Sequence, residues 1–446
     1  MANTSVAGGV AKNHEAPRKH GRKVTGTSVE SVVRIFGDQL GFAGGLISLL
    51  AIIHTLCPPA RASTRRFFEL SHYDPTTRTY VQGWDDLYFV IGWMVMFTAI
   101  RAIAIDWVFI RIARQAGIKR KACIRFAEQG WLLLYYGVFW TLGMYVMCTS
   151  TYWLNNWNLW THWPARQMSG TFKWYYLVQL AFWIQQIIIV NIEERRKDYH
   201  QMFTHHIITS SLLFLTYVYR FSNAANVILC LMDVVDFLLP MAKMLKYLGF
   251  QSACNWAFGL FVATWFVARH VFYPIVIYSI YRDVPGVMLY GCYSGKTAEM
   301  ISTNDTPDAL SHMLWPFQDL DGTICLNKRI KWVFLSMLIS LQILSMVWFV
   351  MIIRVVVKVV KGGTAEDTRS DDEEDVRDVK GSAQGTSAEN SSYGITSLTV
   401  CNSSSVGSGK SNLGRGPFRT SGGRVRLVDQ SDREALLRRI GCDKPA

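Results

Sequence analysis

Residues Arg195–Gly249 read RRKDYHQMFTHHIITSSLLFLTYVYRFSNAANVILCLMDVVDFLLPMAKMLKYLG. Two apolar runs stand out, approximately residues 203 to 219 and 224 to 242, with only a few polar residues between them. Each is close to the roughly 20 residues that a helix needs to cross a bilayer, so the stretch predicts two antiparallel membrane helices joined by a tight turn. Both runs are interrupted by groups that lipid disfavours. His205 and His206 lie just inside the first, and Asp233 and Asp236 lie within the second. A charged Asp near the centre of a membrane helix costs about 2.5 to 3.5 kcal/mol on insertion scales, so an intramembrane carboxylate is a functional candidate.

The rest of the chain agrees with a membrane protein. Of its 446 residues, 50% are hydrophobic and 18% charged, against the roughly 25% charged residues of an ordinary soluble domain. The scan finds about eight spans (seven is the alternative count), near residues 41–57, 88–110, 126–148, 174–193, 203–219, 224–242, 255–280 and 333–357. The expected fold is therefore an all-α, polytopic transmembrane helix bundle. No N-terminal signal peptide is read, because the first apolar run begins only near Gly41.

Charge sets an expected orientation. The N-terminal lead and the connection RIARQAGIKRKACIRF, with six Lys or Arg in sixteen residues, are placed in the cytosol. The connection at 61–87 then falls on the far side with Arg61, Arg65, Arg66 and Arg78, against the rule. Also on that side are STYWLNNWNLWTHWPARQMSG, whose four Trp suit an interfacial belt, and the long loop Tyr281–Trp332. The loop carries Cys292 and Cys325, an expected oxidised pair in a lumenal setting, and the acceptor pattern at Asn304. After Lys361 the chain turns acidic and then Ser- and Gly-rich, composition too poor in apolar residues to offset ordering entropy; Ser370 before DDEED suits an acid-directed kinase. The expected division is 1–40, a polar basic cytosolic segment; 41–119, two membrane helices with a lumenal loop; 120–362, a catalytic membrane domain; and 363–446, a disordered cytosolic tail.

On a helix, Asp198 and His205 share one face, with His206 and Thr209 on the neighbouring stripe. A neutral imidazole can take a proton from an attacking amine or hydroxyl at physiological pH, and a carboxylate can orient it. An imidazole can also accept an acyl group and pass it on. Asp233 and Asp236 could instead pair with Arg269 or Arg101, which also lie in apolar spans, and only staple helices. Diiron chemistry asks for about eight histidines in repeated boxes, and only His200, His205 and His206 cluster here. Zinc hydrolysis would need a third ligand beside two histidines about 100° apart on a helix. A proton-coupled lipid transporter using the His and Asp groups as a relay stays open as the alternative, although no inverted repeat is visible.

The same stretch resembles the signature region of the ceramide synthases, the Lag1 group of the TRAM-Lag-CLN8 membrane domain family. YYLVQLAFWIQQ (Tyr175–Gln186) is similar to the family's preceding span, and GWDDLYFVIGWMVMFTAIRA (Gly83–Ala102) to a span found in fungal members. The resemblance covers roughly residues 120–362. The combination of RxKD, paired His and DxxD is its specific part, and the lack of a homeobox-like insertion points to the fungal branch.

The resemblance implies an endoplasmic reticulum enzyme that joins a fatty acyl-CoA to the amine of a sphingoid base, giving ceramide and free CoA. It implies His205, His206, Asp233 and Asp236 as essential groups. Asp198, Tyr199 and Thr209 are supporting candidates, and Arg195, Arg196 and Lys197 candidates for the CoA headgroup. The expected acyl slot is lined by the Leu, Val and Phe of 211–239. In some relatives the loop corresponding to Tyr281–Trp332 is linked to acyl length. No permanent cofactor, metal or nucleic acid is expected; the partners are acyl-CoA, sphingoid base, membrane lipids and other subunits in a homo- or hetero-oligomer.

Overall fold

The computed structural model describes residues 39–161, 163–192, 198–302 and 310–361. Arg195, Arg196 and Lys197, Asn304, the N-terminal lead and the tail with Ser370 lie outside these. Eight long helices run in order: α1 Gln39–Leu56, α2 Asp86–Gln115, α3 Arg120–Cys148, α4 Gly170–Ile192, α5 Tyr199–Val218, α6 Ser222–Tyr247, α7 Gln251–Arg282 and α8 Lys328–Val360. Their bounds fall within about five residues of the apolar windows. Seven are long and apolar enough to cross a membrane. The eighth, α5, has 20 residues but carries His200, Gln201, His205 and His206 in its first two turns. The helix richest in candidate chemistry is thus the least lipid-like one.

Apolar residues facing outward, such as Leu49, Ile52, Val138 and Val350, are about half exposed and suit a lipid surround. Inside, aromatic packing dominates. Phe97 of α2 meets Trp131, Tyr135 and Phe139 of α3 and Phe182 of α4, all with ring centres within 6.4 Å. The first helices and the later ones therefore share a core. Close approach of α3 to α4 and α6 depends on Gly143, where a Cβ would lie 2.6 Å from the Tyr175 hydroxyl and 2.9 Å from Cys230 Sγ. Two helices contain six-residue π turns, Ala104–Phe109 in α2 and Val267–Phe272 in α7, and the second holds Arg269. Such turns often mark functional positions because the extra residue re-aims a side chain.

Three residues join α5 to α6. Among them Arg220 takes φ +61°, a left-handed conformation that costs a non-glycine residue about 1 kcal/mol. Its guanidinium offsets this by donating to the carbonyls of Gly295 (2.7 Å) and Leu320 (2.8 Å), tying the turn to the α7–α8 connection. Burial, and then nearby Arg166, push its pKa down to about 10, so it remains charged at neutral pH. That connection folds as a small antiparallel sheet, β4-β3-β5, from β3 Gly291–Ser294, β4 Met300–Ser302 and β5 Thr323–Leu326. Cys292 and Cys325 face each other across β3 and β5 and form a disulfide.

The four tryptophans of the α3–α4 connection do not act alike. Trp157 is 54% exposed, as an interfacial residue should be. Trp160 is buried and donates to Ser279 Oγ at 3.2 Å, and Trp163 donates to the Tyr219 carbonyl at 2.9 Å. Part of the expected belt is thus packing. At the same end, two of the four arginines of 61–87 are ion-paired: Arg65 with Glu69 at 2.6 Å and Arg66 with Asp85 at 2.9 Å.

A buried ion pair, which the apolar pattern did not reveal, closes this end of the bundle. Lys173 of α4, fully buried, sits 2.8 Å from Asp86 of α2 and donates to the carbonyls of Ser71 and Val81. Asp86 also accepts from the Tyr217 hydroxyl of α5 and the Gly83 backbone N–H.

Candidate active site

His205 and His206 stand two turns inside α5, adjacent in sequence and so about 100° apart around the helix. Trp183 of α4 lies against both, its ring centre 5.5 Å from each imidazole. Trp348 of α8 lies 5.2 Å from His205, and the two imidazoles are 5.5 Å apart. A large indole in the angle between the rings allows both to border one cavity of about 210 Å³. His205 is partly open to it and His206 is 4% exposed. The Nδ1 atoms of both are buried without a hydrogen-bond partner. A buried polar atom left unpaired costs about 1 to 3 kcal/mol, and catalytic sites are among the places where such atoms persist.

The two carboxylates of α6 have different surroundings. Asp236 borders the cavity and accepts from Arg269 Nη2 of α7 at 3.1 Å. The same nitrogen reaches the Met232 carbonyl at 3.0 Å, and the guanidinium lies over Trp265, 4.1 Å from the ring centre. Pro240, one turn later, has no N–H to offer the Asp236 carbonyl, and it too borders the cavity. Asp233 is 1% exposed and does not line the cavity. Its Oδ2 accepts from Gln179 Nε2 of α4 at 3.0 Å, and the Gln179 Oε1 in turn accepts from the Tyr135 hydroxyl of α3. Asp233 Oδ1 has no partner.

The two carboxylates therefore occupy different environments. Residues three apart differ by about 60° around a helix, enough to turn one toward the cavity and the other toward α4. Stapling by arginine is seen between Asp236 and Arg269. Arg101 borders the cavity and donates to Gln39 Oε1 at 3.1 Å. No hydrogen bond joins either carboxylate of α6 to an imidazole Nδ1.

Asp198, immediately before α5, borders the cavity with its Oδ1 buried and unpartnered, and its carbonyl accepts from Met202 N–H. Tyr199 also borders it and donates to Asn191 Oδ1 at 2.9 Å. Thr209 is buried beyond the cavity, its hydroxyl unpartnered. Few of the residues expected to line an acyl slot border this cavity. Of residues 211–239 only Asp236 and Leu239 border the cavity, because Leu212, Leu213, Ile228, Leu229 and Val235 are consumed in helix packing. Its apolar wall comes instead from Trp131, Leu132 and Tyr136 of α3, Ile189 and Val190 of α4, and Trp265 of α7. Trp183, Trp348 and Gln179 were not read from the sequence; only the glutamines inside an apolar span, as in YYLVQLAFWIQQ, hinted at polar work there. Among the described residues no three His, Cys, Asp or Glu cluster closely enough to hold a metal ion.

The cavity thus combines two proton-accepting rings, one ion-paired carboxylate, and apolar walls that open among membrane helices. Such a site can take a proton from a nucleophile and can carry an acyl group on nitrogen.

Comparison with known proteins adds to this geometry. The pattern of the TLC domain, TRAM_LAG1_CLN8, matches residues 125–354. A sphingosine N-acyltransferase-like protein of Alternaria alternata is 45% identical over 339 residues, covering 75% of this chain and 76% of that protein. A ceramide synthase of Gibberella moniliformis is 39% identical over 341 residues, covering 76% and 80%. A sphingosine N-acyltransferase of Schizosaccharomyces pombe is 38% identical over 330 residues, covering 73% and 78%.

Proposed function

Since this chain belongs to the TLC domain family, as a multi-pass membrane acyltransferase of the fungal ceramide synthase group, we propose that the cavity between α4, α5 and α6 is where acyl-CoA and a sphingoid base react. The observation that carries this reading is the pair of imidazoles held by Trp183 on one cavity beside the ion-paired Asp236. His205, the more open ring, meets the thioester. Its nitrogen attacks the carbonyl carbon, the C–S bond breaks, and CoA leaves as the thiol, taking the proton that the acylated ring gives up. His206 takes the ammonium proton of the amine, which then attacks the acyl carbon of the acyl-imidazole. The C–N bond to His205 breaks, the proton shed by the attacking nitrogen returns to the departing ring nitrogen, and ceramide forms, His206 passing its proton to water. Asp236 offers negative charge to the incoming ammonium, and Asp233 lies behind it, held to α4 by Gln179. Neither substrate needs a metal to be activated in this scheme.

The CoA headgroup is polyanionic, and the reading places it against Arg195, Arg196 and Lys197 with Lys243 and Arg101, which border the cavity. We place the protein in the endoplasmic reticulum membrane with both termini in the cytosol. The basic α2–α3 connection and the Cys292–Cys325 disulfide in the α7–α8 connection support that orientation, in which α5 crosses together with the seven helices apolar enough to span. Residues 120–362 would form the catalytic domain, preceded by the helices of 41–119.

The test is direct. Membranes carrying the full chain, incubated with a sphingoid base and a panel of acyl-CoAs, should yield N-acyl product. Absence of product with every chain length sinks the synthase reading, and proton-driven lipid uptake into vesicles would then favour a transporter.

Gln179 is a positioning residue in this scheme. Replacing it with Leu should lower kcat by about 10²-fold, the effect of a small misplacement at the chemistry, with KM for both substrates within a factor of about two. A lowered thermal midpoint with unchanged kcat would make Gln179 purely structural.

A further inference from the structure

Away from the active site, α7 and α8 enclose a groove of about 470 Å³ whose wall is apolar. Ile277 and Tyr281 line one side, and Trp332, Ile339, Ile343 and Met346 the other. From Trp332 to Met346 the groove follows α8 for fourteen residues, about 21 Å at 1.5 Å per residue. One leaflet of a bilayer core is about 15 Å thick, so a single acyl chain fits along it.

The end of the groove at Tyr281 and Trp332 is basic. Lys331 is 9% exposed, and its Nζ lies 5.4 Å from the centre of the Tyr281 ring. It has no carboxylate partner and no side-chain hydrogen bond among the described residues. Arg282 and Lys328 stand at the same end, with Asp283 4.0 Å from Arg282. The stem of Lys331 is packed away while its ammonium stays open over the Tyr281 ring, so a cation with no acid stands at the mouth of an apolar groove and complements an anion there.

We propose that this groove is a binding site for one anionic glycerophospholipid, with an acyl chain between α7 and α8 and its phosphate against Lys331. Charge complementarity selects the headgroup, and the bulky rim selects a flexible chain over a helix. Helices that pack in membranes approach through Gly, Ala, Ser and Thr, whereas this rim is Tyr278, Tyr281, Trp332 and Met346. The site is independent of the acyl-transfer reading.

Native mass spectrometry of the full-length protein released from nanodiscs tests it. The nanodiscs contain dioleoyl phosphatidylcholine with an equal share of dioleoyl phosphatidylserine or phosphatidylinositol. The wild type should retain one phospholipid, the anionic species favoured by roughly fivefold for each cation engaged. Lys331→Gln should cut that preference by roughly fivefold while keeping the adduct. Ile339→Trp, at an exposed position where filling the groove disturbs no core, should remove the adduct for every headgroup. Lys328→Gln, also exposed, should give a smaller loss of preference and serves if Lys331→Gln does not fold. A wild type blind to headgroup, a preference untouched by both Lys variants, or an adduct that survives Ile339→Trp would overturn the proposal, as would occupancy by a second copy of the chain.

Discussion

His205→Ala and His206→Ala will each lower N-acylation of a sphingoid base in membranes by about 10³-fold, the scale expected when a nucleophile or a general base is removed. The two variants should fail differently. Incubated with radiolabelled acyl-CoA alone and denatured rapidly near neutral pH, the wild type and His206→Ala should retain label on protein, and His205→Ala should not. The reason is the geometry: His205 is open to the cavity, while His206 is 4% exposed behind the shared face of Trp183. Because neither Nδ1 has a partner to lose, folding should survive, read as an unchanged elution profile in detergent. Their effects should not add, since both act in one sequence of steps, and His205→Ala with His206→Ala should match the more severe single variant. Full activity in the double variant would remove the site assignment and leave the family membership standing.

The largest stability effect is expected at the opposite end of the bundle. Lys173→Met should cost about 3 to 5 kcal/mol, because it leaves the Asp86 carboxylate buried without its cation. It also strips the donor from the carbonyls of Ser71 and Val81, which hold the α1–α2 connection against α4. Thermal unfolding followed by fluorescence-detected size exclusion should show the midpoint fall sharply. Asp86→Leu with Lys173→Met should be less harmful than the sum of the single changes, since a buried pair can be replaced by apolar groups with little net loss while half of one cannot. Additive losses would show that the two side chains do not act as a pair.

Local chemistry made much of the molecule legible. A bilayer accepts only long apolar segments with satisfied backbone, so the eight helices follow from hydropathy windows within a few residues. The cost of polar groups in lipid makes His205, His206, Asp233 and Asp236 conspicuous one residue at a time. The short, polar RFSN between the two apolar runs predicted the tight turn that sets α5 beside α6. Lys173 and Asp86 escaped notice because each sits near a span's end, where a single charge is ordinary.

Only the tertiary structure decided which of these groups share a cavity. Asp233 and Asp236 look equivalent in DVVD, yet the rotation of α6 turns one toward Arg269 and the cavity and the other toward Gln179. Trp183 reaches the histidines from the preceding helix and Trp348 from α8, distant in the chain, and no periodicity records which faces touch. Hydropathy depends on each residue's own transfer from water to lipid, so the sequence by itself determined what spans the membrane and which groups are costly there. The site depends on the relative rotation of packed helices, which is set by the aromatic core around Phe97, Tyr135 and Phe182 and is a property of all of them together.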